Sequence, residues 1–233
     1  MSPGMSWKAF AAPALLLLAA GCQQMPGTPK PGVEVPRPDS ITSFTVLYRQ
    51  NCAGCHGTDG QNGAALDLAN PVYQAWVDDA TLRKIIAGGE PGTQMPAFGQ
   101  PAGGFLTSDQ IDAIVHGMRS SWQKPDALNG QTPPPYASTG TGDATRGQAV
   151  YQSACARCHE QSGHKVTDST YLALVNDQTL RTIVIAGRPD LGHPDWRGGA
   201  GGHPLTDAEV TDLVAWLNTL RSETPGQPYA PHP

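Results

Sequence analysis

The chain has 233 residues, 39% of them hydrophobic, and a formal net charge of −5 from 15 Lys plus Arg against 20 Asp plus Glu. That apolar content suffices for a core, and the length allows one large domain or two small ones. The few basic residues form no cluster of the kind that a phosphate backbone attracts, which argues against nucleic acid as a partner.

Taken in chain order, residues 1–21 read as an export signal: Lys8, the apolar run AFAAPALLLLAA, then Gly21 ahead of Cys22. The run falls short of the roughly 20 apolar residues that cross a bilayer. Ending in AAGC, the segment resembles the bacterial lipoprotein signal, whose cysteine becomes the lipidated first residue of the mature chain. That resemblance implies a lipid on Cys22 and a protein held at the outer, periplasmic face of a bacterial membrane. Ala19 stands where the pattern prefers leucine, with Leu18 one place earlier, and the alternative is an ordinary signal peptide with a stray cysteine. An odd thiol is a liability in an exported protein, which favours the lipid. Residues 22–40 are proline-rich and polar, suited to an extended tether.

Beyond the tether the chain nearly repeats itself at an offset of about 100 residues. YRQNCAGCH (48–56) matches YQSACARCH (151–159), YQAWVDDATLRKIIAG (73–88) matches YLALVNDQTLRTIVIAG (171–187), and LTSDQIDAIVHGM (106–118) matches LTDAEVTDLVAWL (205–217). Three blocks in the same order indicate a duplicated domain. Compact domains are expected at 41–122 and 144–222, with a Pro/Gly-rich linker at 123–143 and a tail at 223–233. The prolines leave these connecting segments too little apolar surface to order themselves, so order in them implies a partner that holds them.

Each repeat reads as three helices and no strand, an all-α pattern. The first ends at the cysteine motif, and the second follows Asp78 or Asn176 and stops at glycine. The third begins at capping boxes, Thr107 with Gln110 and Thr206 with Glu209. Its apolar positions, such as Ile111, Ile114, Val115 and Met118, recur at three and four residues and form one buried stripe.

Five cysteines divide into Cys22, the pair Cys52 and Cys55, and the pair Cys155 and Cys158. Each pair is followed at once by histidine, His56 or His159, and CxxCH is the attachment signal for c-type haem. The two thiols bond the porphyrin and the next imidazole reaches the iron. A redox CxxC or half of a zinc site is the alternative, but no strand precedes the motif and further cysteines are absent.

On these motifs each half resembles a class I cytochrome c domain, and the whole is similar to a tandem dihaem cytochrome c with two covalently bound haem c groups. The resemblance implies a distal ligand from a loop between the second and third helices, and in the first repeat that place is held by Met95 in QMPAF, stiffened by Pro96. No methionine follows Met118, so the second iron needs another donor. His193 occupies the position of Met95 and also precedes a proline; His203, His164 and an open site are the alternatives. His116 and His232 read as a solvated helix residue and a tail residue. Thioether coordination favours reduced iron more than a second imidazole does, so the Met95 haem is expected to have the higher potential, with electrons running toward it from the His193 haem.

In that family the first and last helices cross closely, with glycine on one admitting an aromatic on the other. Phe44 aligns with Gly147 and Gly117 with Trp216, so Phe44 is expected over Gly117 and Trp216 against Gly147. Arg83 and Arg181 could reach haem propionates or be plain surface arginines. Trp196 and Phe98 are expected to pack on haem. The resemblance implies a membrane-tethered electron carrier working with redox proteins, such as a respiratory or photosynthetic membrane complex. The rivals are a dihaem peroxidase with a labile distal ligand at the second haem, for which no acid/base constellation is evident, and a gas or redox sensor, for which no signalling domain is evident.

Overall fold

Side-chain caps set the helix starts. Asn70 accepts from the N–H groups of Val72 (2.8 Å) and Tyr73 (3.2 Å), with Pro71 in the first turn, and Asp78, Thr107, Asp143, Asp168, Asn176 and Thr206 cap the helices that follow them. The computed structural model describes residues 32, 35–161, 165–199 and 202–224. In the first repeat lie α1 (Phe44–Asn51), α2 (Ala53–His56), α3 (Pro71–Trp76), α4 (Asp79–Gly88) and α5 (Ser108–Trp122). In the second lie α6 (Ala144–Val150), α7 (Ala156–His159), α8 (Ser169–Ala173), α9 (Asp177–Ala186) and α10 (Asp207–Thr219). A π-helical turn, Tyr151–Cys155, joins α6 to α7.

Among the described residues there is no strand, only two isolated bridges, so the fold is all-α as expected. Both capping boxes are formed. The expected three helices per repeat are supplemented by α3 and α8. No described helix is long and apolar enough to cross a membrane. The signal at 1–21, Cys22, most of the tether, His164 and the tail from 225 onward with His232 lie outside the described residues.

Phe44 covers Gly117, where a Cβ would collide with the phenyl ring. In the second repeat the exchange is present with one difference. A Cβ on Gly147 would be 2.8 Å from Trp216 Cβ, but it would first strike the backbone carbonyl of Asp212, so here the two helices meet backbone to backbone. The Trp216 indole packs on Tyr151, ring centres 4.6 Å apart. Asp212 is tied to α6 by Arg146 (2.7 and 2.9 Å) and by the N–H of Asp143 (2.7 Å).

The described residues from Asp39 onward form one compact unit containing both repeats. Its larger apolar cluster is shared: Leu47, Tyr73, Ile114 and Met118 of the first repeat belong to it together with Ile185, Trp196 and Val210 of the second. The seam is stitched by two asparagines that each do two jobs. Asn70 caps α3 with its oxygen and donates its amide to the carbonyls of Ala186 (2.8 Å) and Gly187 (3.2 Å). Asn176 caps α9 and donates to Glu90 (2.7 Å) and the Pro91 carbonyl (2.8 Å). The aligned positions in the opposite repeat are Asp168 and Asp78, which cap equally well but have no N–H to donate.

Both repeats hold the linker. Trp76 Nε1 donates to the Pro134 carbonyl (2.9 Å) and its ring packs on Tyr136 (5.3 Å). From the other side Arg181 donates to the carbonyls of Pro135 (2.6 Å) and Tyr136 (3.0 Å), and Gln178 donates to Tyr136 (2.9 Å).

Candidate functional site

The two cysteine motifs have the same local geometry. Each begins with a kink at its first cysteine, φ −117 and ψ −38 at Cys52 against φ −121 and ψ −38 at Cys155, from which a single turn carries the second cysteine and the histidine. In the first motif the N–H groups of Cys55 (3.2 Å) and His56 (3.0 Å) both donate to the Cys52 carbonyl. None of the four cysteines is in a disulfide. Burial first, and the neighbouring thiol second, push Cys52 and Cys155 up to about 11. A thiol–disulfide redox pair needs a lowered thiol pKa, so these residues are poorly suited to that chemistry.

His56 is buried, 9% exposed, and its Nδ1 lies 2.8 Å from the Leu66 carbonyl. That bond fixes the ring and leaves Nε2 as the nitrogen that could bind a metal, an arrangement common among ligating histidines. In the second repeat the rings of His159 and His193 face each other with centres 5.7 Å apart and planes inclined by 40°. Two imidazoles bonded to one metal ion at about 2 Å each have ring centres about 6 Å apart. The spacing of the pair is close to what one iron between them would require. Burial chiefly lowers the pKa of both His56 and His193; at His193 the charge of His159 adds to it.

Met95 and His193 occupy equivalent places. Gly89 (φ 72) and Gly187 (φ 74) end α4 and α9 in the same left-handed conformation, and a Cβ on either would strike the peptide after the loop proline, Pro96–Ala97 or Pro194–Asp195. The N–H of Glu90 donates to the Met95 carbonyl (3.1 Å), and the N–H of Arg188 to the His193 carbonyl (3.1 Å). The loops close alike, with the N–H of Leu106 on Phe98 (2.8 Å) and that of Leu205 on Trp196 (2.8 Å). Met95 is half-buried against the shared core, whereas Met118 is a core residue, 1% exposed.

Other histidines are placed elsewhere. The His203 side chain is 55% exposed and bonds Glu209 (2.9 Å) in the α10 cap; His116 is exposed on α5. The arginines diverge from the expected pair. Arg83 is a surface arginine bonded to Asp112, while Arg181, 3% exposed, is buried: it clamps the linker and pairs with Asp207. Trp196, 2% exposed, lies in the shared core with Arg197 4.6 Å from its ring centre. Phe98 packs at the edge of the same core and against Phe105. Missed by sequence reasoning was Arg188, which the structure sets between the two motifs.

Among the described residues no three His, Cys, Asp or Glu side chains converge as a metal cluster. The His159–His193 pair beside a CxxCH turn would suit a metal that brings four donors of its own, as porphyrin iron does. An all-helical frame with two such motifs is a tandem dihaem class I cytochrome c, and its cofactors are two covalently bound haem c groups. The family model for cytochrome c oxidase, cbb3-type, subunit III matches residues 39–116 and 142–217, and the chain belongs to that family.

Similar proteins include the cbb3-type cytochrome c oxidase subunit CcoP of Azospirillum sp. (strain B510), 33% identical over 197 residues, which covers 74% of this chain and 60% of the relative. The subunit FixP of Azorhizobium caulinodans is 26% identical over 193 residues, covering 75% of this chain and 58% of the relative. The chain thus spans about three-fifths of the length of these curated relatives. Among solved structures, a chain of the Kuenenia stuttgartiensis reducing HAO-like protein complex is 18% identical with a TM-score of 0.45, covering 82% of this chain and all of that one.

Proposed function

We propose that the chain is a membrane-tethered electron relay with two unequal haems, serving a membrane respiratory complex of the cbb3 oxidase kind. The haem domains are 41–122 and 144–222. Cys52 and Cys55 anchor the first haem, with His56 and Met95 as axial ligands; Cys155 and Cys158 anchor the second, with His159 and His193. Each bound haem supplies a one-electron couple, and the residues around it set its affinity for that electron. The observation that carries the reading is the placement of the His159 and His193 rings, centres 5.7 Å apart, which would let both ligate one iron and leave it no open position for a reactant. Met95 favours the reduced iron more than His193 does, so the first domain is the electron-accepting side of the pair. A lipid on Cys22 and the proline-rich arm behind it hold the relay at the periplasmic face of the membrane. The names of the similar oxidase subunits support the choice of complex.

Exposure of the fully reduced protein to carbon monoxide tests the reading, since saturated irons refuse the gas. The expected result is an unchanged visible spectrum, together with two resolved steps in a redox titration. Ready carbon monoxide binding would favour an enzyme or sensor, and a titration with two equal potentials would remove the asymmetry.

A further inference from the structure

We propose that Arg188 is an electrostatic bridge shared by the two haem sites: one fixed cation, held between the proximal segment of the first site and the distal loop of the second, that raises the affinity of both irons for an electron. The proposal rests on the ligand assignment above for what the charge acts on, and on the chain's own geometry for where the charge sits.

Arg188 follows Gly187 at the end of α9, and its backbone pairs with His193 in both directions, at 3.1 and 2.9 Å. The side chain then leaves its own repeat. Nη2 donates to the carbonyl of Gly63 (3.1 Å), and Gly63 lies directly on the first motif, where a Cβ would be 2.6 Å from the His56 carbonyl carbon and 2.7 Å from the Gly57 nitrogen. One backbone contact therefore separates this arginine from each of two histidines 137 positions apart, His56 and His193.

The charge is also held still. Nε and Nη2 donate to the two oxygens of Asp190 (2.9 and 2.8 Å), and Asp190 accepts from the N–H of Asn62 across the seam (3.0 Å). The side chains of Arg188 and Asp190 are 11% and 0% exposed, so water and salt screen this charge weakly. Asp190 carries the opposite charge at the same place, so the two members of the pair act on each iron in opposite senses. Ferric iron carries one more positive charge than ferrous iron, and a nearby cation favours the ferrous form.

Redox titration of the holoprotein with three substitutions tests this. In Arg188→Gln both midpoint potentials should fall relative to wild type, and in Asp190→Asn, which removes the carboxylate paired with the cation, both should rise. Arg188→Lys should keep both near their wild-type values. If the cluster merely braces the seam, Arg188→Gln and Asp190→Asn loosen the same contact and shift the potentials in the same direction, which overturns the proposal. So does a shift of one haem alone, or a lysine variant that behaves as glutamine. If Arg188→Gln fails to fold, Asp190→Asn carries the test: a rise at both haems supports the bridge, and a fall or no change rejects it. Magnetic resonance of the wild-type ferric protein reports separately whether His193 is a ligand, so failure of the axial assignment is distinguishable from failure of the bridge.

Discussion

Gly147→Val is expected to destabilise the protein by about 3 kcal/mol or more, at the upper end of overpacking costs. Most crowded core positions relax because the obstructing atom is the tip of a side chain. Here the obstruction is the main-chain carbonyl of Asp212 on α10, and Trp216 Cβ stands behind it at 2.8 Å. Asp212 cannot yield alone, since its carboxylate anchors Arg146 and the N–H of Asp143 on the partner segment. The helices must separate, and the Tyr151–Trp216 stack beside the second motif separates with them. For a chain of this size that cost lowers the thermal midpoint by roughly 6–12 °C. Gly88→Ala is the matched control: it lies in α4 with nothing within 4 Å of the new Cβ, and it should stabilise slightly, by about 0.4–1 kcal/mol. Thermal melts of the two variants check the argument, and a Gly147→Val midpoint equal to wild type would mean that the helices do not cross this closely.

His193→Met should raise the potential of the second haem by on the order of 100 mV, a modest part of the roughly 0.8 V over which axial ligands set haem potentials. The geometry favours a clean exchange. The loop bearing His193 is closed by the same backbone bonds as the loop bearing Met95, is anchored by an equivalent left-handed glycine, and is followed by the same proline. A thioether introduced there inherits a position already used for one in the first repeat. The two redox steps should move together and partly merge, with the first haem unmoved. Spectropotentiometry of wild type and variant reads this directly; a second haem that keeps its potential would mean that His193 is not its ligand.

Much of this architecture was legible because it is local or duplicated. The capping boxes at Thr107 and Thr206 need only four consecutive residues, and the CxxCH turns only five. Duplication exposed the rest: the alignment that pairs Met95 with His193 also exchanges glycine and aromatic between helices, and both relations are present in space. What escaped was tertiary. Arg83 and Arg181 sit in nearly identical sequences, TLRKII and TLRTIV, yet one is at the surface and the other buried, because only the second meets the carbonyls of Pro135 and Tyr136. The seam left a readable trace. At two cap positions asparagine in one repeat faces aspartate in the other, Asn70 against Asp168 and Asn176 against Asp78, and each asparagine marks where an N–H must cross to the other repeat. Arg188 left no such trace, since its bond to Gly63 joins residues 125 apart in sequence.

Low-temperature magnetic resonance of the oxidised protein, wild type beside His193→Met, tests the axial pairs most directly. Wild type should give two different low-spin ferric signals in equal amount, one from an imidazole–thioether pair and one from two imidazoles, and the variant should convert the second into the first. A wild type with a single kind of signal, a high-spin second haem, or a variant that leaves the second signal untouched would contradict it.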